Sequence, residues 1–425
     1  MARVASVVVA LAATPSAAAP LFPLQGICYA PLPCMDMGRA CGAPEDMAQE
    51  AYKPQWGREG RDDLGIMNRM GANAIRLYHP IGELVPQPES SGFLDASEAA
   101  GLKVFGAVHQ YLSCEDDDCY DSWFKAVRDG LASGFAKDGA WHPAVWAMNL
   151  INEVDAMVPT SEAGVKRIIS AADGLLAAEK AAHITGSVNL TSCFTTALAQ
   201  GLGGGPESPW TIYHGFVSME AWMKDPSLVE YTPRSGSVAD LVRAIDQRWI
   251  HCVNAQIPWE YGIKGMLADS YAPFLPRPWF IGEMGFNGAH GSDIEAELEA
   301  MNTYATEGKG FLGSFFFQFQ TAYFKGQGSE LNFGMFGLGA TQVGTTGELR
   351  GKAYPVHCLT SREWAFEQPN SGCKDECDHR AQAVAKAFGG QISGGGVCLE
   401  APPMGLGAKR RRLRQNKSGA RDFFA

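Results

Sequence analysis

Short β-rich runs alternate with helical stretches from Gly26 to Gln320, which limits the chain to a parallel sheet joined by helical crossovers. Strand one reads as Gly26–Ala30, strand two as Asn73–Tyr78, strand three as Lys103–His109 and strand four as Val145–Asn152, running into Glu153. Strand five falls on Ile184–Val188, strand six on Thr211–Val217, strand seven on Trp279–Glu283 and strand eight on Gly313–Gln320. Between them a helical repeat is clearest at Val165, Ile168, Ile169, Ala172 and Leu176, opened by Pro159 and Thr160. Val238 to Val253 reads as helix six, and Ser292 to Glu295 as a capping box. Eight strands with seven crossovers match a (β/α)8 TIM barrel, an α/β fold. A doubly wound sheet is the competitor, but no Gly-x-Gly-x-x-Gly follows strand one.

The ends of the chain differ from this middle. Arg3, the apolar run Val4 to Ala13 and the small residues Ser16, Ala17 and Ala18 read as a signal peptide over residues 1–18. The barrel is expected at 25–340, a Cys-rich extension at 341–400 and a basic tail of disordered composition at 401–425. The last seventeen residues hold seven basic side chains against one acid, so the body is more acidic than the whole-chain charge of −11. A body of that sign argues against nucleic acid as a partner. No segment after the signal is long and apolar enough to span a membrane.

In an exported chain the 11 cysteines read as mostly disulfides, and the odd count leaves at least one unpaired within the chain. Cys34 with Cys41 and Cys114 with Cys119 are the expected local pairs. The second pair brackets the acidic run Glu115 to Asp118, which lacks the spacing and glycine of a calcium loop and reads as solvated. Asn189 and Asn416 each begin an Asn-x-Ser/Thr acceptor sequence for glycosylation. Zinc-protease, phosphate-loop and serine-elbow motifs are missing, and neither metal nor cofactor is expected.

In a barrel, reactive groups stand at the C-terminal ends of the strands. Two apolar strands here run directly into a carboxylate, at Glu153 and at Glu283. Burying a carboxylate is costly unless it is paired or used. Two of them at one barrel mouth suit a pair flanking a scissile glycosidic bond, one protonating the departing oxygen and one attacking the anomeric carbon. Arg76, ending strand two, is placed to keep Glu283 ionised. Asn152, beside Glu153, is placed to bond a sugar hydroxyl. Tyr29 and Tyr78 read equally well as sugar-stacking rings or as caps on the core, while His79 and His109 read as satisfied polar groups.

Asn152-Glu153 ending strand four, with Ile281-Gly282-Glu283-Met284-Gly285 ending strand seven, resembles clan A of the glycoside hydrolases. That resemblance implies Glu153 as acid/base and Glu283 as nucleophile of a retaining enzyme without a cofactor. Gly26 to Ala30 and Ile75 to Pro80 resemble the β-1,3-glucanases of family 17. Asn152 to Val154 and Gly282 to Asn287 resemble the β-1,3-glucanosyltransferases of family 72. The clan often places a Tyr or His of strand six against the nucleophile; Tyr213 and His214 both qualify, and strand alternation lets only one point inward. At its usual strand-eight Trp position this chain has Phe319 or Gln320. The implied function is a secreted glycosidase or transglycosylase taking a β-glucan polysaccharide or oligosaccharide, β-1,3-linked first, with cell-wall association open. A β-1,4-glucanase or β-mannanase of the same clan is an alternative, and so is a non-catalytic carbohydrate-binding barrel.

Overall fold

The computed structural model describes residues 22–36, 41–196, 222–326, 329–361, 379–392 and 399–400. Nine parallel strands lie side by side: β1 Leu24–Cys28, β2 Ala74–Arg76, β3 Lys103–Ala107, β4 Val145–Asn149, β5 Asn189–Thr191, β6 Cys193–Thr195, β7 His251–Ala255, β8 Trp279–Gly285 and β9 Phe311–Phe317. Only Ser192 separates β5 from β6. β5 pairs with β4, and β6 pairs with β7, so the two form one kinked stave. That stave closes the order β5-β4-β3-β2-β1-β9-β8-β7-β6 into a (β/α)8 barrel of eight staves. The main helices are α1 Asp63–Arg69, α2 Ser91–Ala99, α3 Tyr120–Gly130, α4 Ser161–Ala181, α5 Val238–Arg248 and α6 Gly291–Ala305.

Helix α4 starts where the sequence places it. Thr160 caps it by accepting from Ala163 N at 3.2 Å, and Val165, Ile168, Ile169 and Ala172 bury its apolar stripe. Other expectations need correction. Strand five lies at Asn189–Thr191 and Cys193–Thr195, a few residues beyond Ile184–Val188. Helix six ends at Arg248, and Val253 belongs to β7, the sixth stave. The run Ile250 to Val253 is buried throughout, and a short apolar run has no periodicity to separate strand from helix. Thr211–Val217 lies outside the described residues. Helix α6 begins at Gly291, so Ser292 is already inside it and cannot flank it as a cap. A capping box instead opens α5, at Ser237 and Asp240. Asn189 is buried on β5 and donates to Trp146 O at 3.1 Å, which leaves it no room for a glycan. Asn416 is outside the described residues.

Inside the barrel the rings of Phe105, Trp146, Phe280 and Phe315 pack edge-on or tilted, with centroids 5.3 to 6.2 Å apart. Gly26 makes space for them, since a Cβ there would lie 2.2 Å from the Phe315 ring. Above this layer sit Cys28, Cys193, Cys252 and Arg76, the last 1% exposed. β8 carries a bulge at Gly282: Ile281 pairs with Val253, yet Glu283 pairs with Asn254. Strict alternation from the inward Phe280 would turn Glu283 outward. The extra residue turns it into the barrel mouth beside Asn254.

After the barrel, β10 Phe336–Thr345 and β11 Pro355–Ser361 pair antiparallel, and β12 Leu399–Glu400 joins β11. The boundary expected at 340/341 falls inside β10. Helix α7 Arg380–Ala387 rests on α6, where Asn302 donates to Ala387 O at 2.9 Å. Three disulfides are described: the expected Cys34–Cys41 and Cys114–Cys119, and Cys193–Cys252 between the fifth and sixth staves. Cys358 is also disulfide-bonded, and Cys28 is a free, buried thiol. No helix among the described residues is long and apolar enough to cross a membrane.

Candidate active site

Glu153 and Glu283 border one cavity of about 300 Å³, together with Thr195, Thr196, Asn254, Gln256, Ile257, Gly285 and Phe317. Its lining comes from the ends of the fourth to eighth staves. Its size is at the small end for ligand pockets.

A polar network ties the two carboxylates together. Arg76 Nη2 lies 3.0 Å from Glu283 Oε1 and donates to Asn152 Oδ1 at 2.6 Å. Arg76 Nη1 donates to Asn254 Oδ1 at 2.9 Å. Asn254 Nδ2 in turn donates to Glu153 Oε1 at 2.8 Å and approaches Asn152 Oδ1 at 3.2 Å. The guanidinium lies over Tyr78 and Phe105, 4.9 and 5.4 Å from their ring centres, so it is held between aromatic faces and amide oxygens.

Glu153 sits at φ 50, ψ 43, a left-handed conformation costly for a residue with a Cβ. Its N–H donates to Cys193 O at 2.6 Å, which fixes the turn to the fifth stave. Asp155 follows in the short helix Val154–Met157; it accepts from Thr195 N at 3.1 Å and from Thr195 Oγ1 at 2.7 Å. Burial pushes the Asp155 carboxyl up to about 6 against those bonds.

Glu283 is 17% exposed and so open to the cavity. Burial raises its pKa, Arg76 pulls it down, and the negative charge of Glu153 raises it again. The Tyr78 hydroxyl also opposes the rise. Arg76 is therefore the expected partner of Glu283, but it does not cancel the effect of burial. Beneath Glu283, Gly282 is crowded: a Cβ would lie 2.5 Å from Arg76 Nη1 and 2.6 and 2.7 Å from the sulfurs of Cys252 and Cys193. Only glycine lets the bulged strand pass the disulfide this closely.

No family model matches the sequence, and no curated protein matches it. Among solved structures, a family 1 β-glucosidase from Thermotoga maritima aligns over 76% of this chain and 94% of its own, at 11% identity and a TM-score of 0.47. The AHE enzyme from Alicyclobacillus herbarius aligns over 71% and 85%, at 14% identity and a TM-score of 0.45. A β-glucuronidase from Ruminococcus gnavus aligns over 66% and 43%, at 14% identity and a TM-score of 0.39. Likenesses this distant do not bear on chemistry, which rests on the side chains themselves.

Of the residues singled out in the sequence, Glu153, Glu283, Arg76 and Asn152 meet at one place, with Tyr78 beside Arg76. Tyr29 does not join them. It is 1% exposed, donates to Asp63 Oδ2 at 2.8 Å and packs against Phe93 and Phe319 between barrel and helices. Tyr213 and His214 lie outside the described residues. The strand-eight aromatic at the cavity is Phe317, two residues earlier than expected; Phe319 is fully buried, and Gln320 donates to Leu32 O at 2.8 Å.

Asn254 is the residue that the sequence reading missed, because its strand was absorbed into a helix. Its signal was a polar residue two positions after an inward cysteine in an apolar run. Among the described residues, Asp95, Glu98 and His142 are close enough to share an ion. Lys137 Nζ already lies 2.6 Å from Asp95. His142 Nδ1 accepts from Ala144 N, so Nε2 carries the proton and donates to Asp95 at 3.1 Å.

Proposed function

We propose that the chain is an exported retaining glycosidase or transglycosylase acting on β-glucan, β-1,3-linked in the first instance. The supporting observation is that Glu153 and Glu283 open onto one cavity and are coupled through Asn254 and Arg76. In this reading Glu283 attacks the anomeric carbon while Glu153 gives its proton to the departing oxygen. The glycosidic bond breaks, and a glycosyl ester forms on Glu283. Glu153, now a carboxylate, takes a proton from water or from a sugar hydroxyl, whose oxygen displaces Glu283. Water gives hydrolysis, and a sugar hydroxyl gives transfer. Arg76 holds the carboxylate in line and offers charge as it leaves.

Preference for β-glucan rests on the motif resemblance at Gly26–Ala30, Ile75–Pro80, Asn152–Val154 and Gly282–Asn287. Export rests on the signal-like start and on the three disulfides. The deciding experiment offers β-1,3-glucan, β-1,4-glucan and β-mannan to the wild type and follows the products by NMR. Early products of retained anomeric configuration are expected, and Glu153→Gln and Glu283→Ala each lose nearly all turnover while staying folded. Inverted products, or near-wild-type rates in either variant, overturn the assignment.

A further inference from the structure

Of the two histidines read from the sequence as satisfied polar groups, His109 leaves a ring nitrogen buried without a partner. His79 lies three residues beyond β2 and His109 two beyond β3, both in loops on the catalytic face of the barrel. Their rings stand edge to face, 4.5 Å apart at 87°. Tyr111 completes the group, 5.5 Å from His109 and 6.1 Å from His79. It is 68% exposed.

His109 Nδ1 is buried and without a partner. His79 Nδ1 is 3.7 Å from Glu45 Oε2, beyond hydrogen-bond distance. Burial lowers the pKa of both rings, His79 to about 4, so each is neutral near pH 7 and offers one donor and one acceptor. Arg350, ion-paired with Glu83 at 3.0 Å, lowers His109 further, and its positive charge disfavours a cation here. Vicinal hydroxyls, which both give and accept, suit such a pair of imidazoles, and the apolar face of a pyranose suits an exposed phenol ring. The group stands on the same face of the barrel as the cavity. Tyr78, next to His79, lies edge-on to Phe317 at 6.5 Å, and Phe317 lines the cavity.

We propose that His79, His109 and Tyr111 form a second sugar subsite, holding a pyranose of the glycan chain next to the one being cleaved. This deepens the glycosidase reading and rests on it. The subsite gives the enzyme a preference for oligosaccharides over short glycosides.

The test uses the full chain. Glu283→Gln is titrated by calorimetry with β-1,3-linked and β-1,4-linked gluco-oligosaccharides of two to six units. Adding Tyr111→Ala or His109→Ala is expected to weaken binding of the longer oligomers roughly tenfold, a loss typical of one stacking ring or one hydrogen-bonded pair. His109→Gln, which keeps a donor and an acceptor, recovers part of that loss. In the otherwise wild-type enzyme, Tyr111→Ala raises KM for the six-unit oligomer, and a Tm equal to that of wild type shows that it folds. If wild type cleaves the six-unit oligomer and both alanine variants match it in KM, the subsite is refuted and the glycosidase reading stands. If wild type cleaves no β-glycoside and Glu283→Gln binds none, both fall together.

Discussion

Asn254 Nδ2 stands 2.8 Å from Glu153 Oε1, while Oδ1 of the same side chain accepts from Arg76, the partner of Glu283. One amide thus orients both ends of the carboxylate pair. Asn254→Ala removes both contacts at once and leaves no bulky intruder. A hydrogen bond to a charged group contributes about 1.5–3 kcal/mol. If it serves chiefly the transition state, kcat falls roughly ten- to a hundredfold with little change in KM. Steady-state kinetics on the best glycoside found in the substrate panel reads this directly. A rise in KM at unchanged kcat shows instead that Asn254 only binds substrate.

The raised pKa of Glu283 predicts two pH effects. In the proposed role as nucleophile Glu283 must be ionised, so the acid limb of the kcat/KM profile should lie above the ordinary glutamate value of 4.5. Arg76→Met, which removes the lowering influence, should move that limb higher still. Stability runs the other way. A carboxyl whose folded pKa is raised stabilises below its unfolded value, and that contribution is lost as pH rises through the folded value. Glu283→Gln never ionises. Its Tm should exceed that of wild type at pH 7, and the gap should close below pH 4.5. Melting curves at the two pH values decide it.

Tyr29→Phe separates a core cap from a sugar contact. The Tyr29 hydroxyl bonds Asp63, itself held by Arg61 at 2.7 and 2.8 Å, all three fully or nearly fully buried. Losing that bond to a charged group should cost about 1.5–3 kcal/mol of stability. KM and kcat should not move. A several-fold increase in KM with an unchanged Tm would return Tyr29 to the sugar site.

Most of the barrel was legible because its staves are apolar runs bounded by turns, and Glu153 and Glu283 were visible as acids at the ends of two of them. Tyr29 was left between a sugar contact and a core cap, although the pattern could have decided it. Alternation puts it on the side of Ile27, facing the helices, and opposite Cys28, which faces the barrel interior. The sixth stave was not legible. Helix α5 and β7 meet without Gly or Pro between them, and Val253 happens to continue the helical spacing. The bulge at Gly282 was hidden as well, since pattern alone turns Glu283 outward. Cys193–Cys252, 59 residues apart in sequence, pairs only once the fifth and sixth staves are neighbours.

That disulfide lies under the site, and its removal should harm catalysis beyond what it costs in stability. Cys193 O accepts from Glu153 N at 2.6 Å, and Cys252 is two residues from Asn254 on β7. Cutting the link frees both supports to shift against Gly282, where the sulfurs and Arg76 now leave no slack. For a loop of this length the chain-entropy estimate is about 4 kcal/mol. Cys193→Ala with Cys252→Ala should therefore melt much earlier. The informative measurement is kcat well below the new Tm, where nearly all molecules are folded. A tenfold or greater loss there marks the disulfide as a positioning element for Glu153 and Asn254. Full kcat at that temperature, alongside the lowered Tm, means that it only tethers the chain.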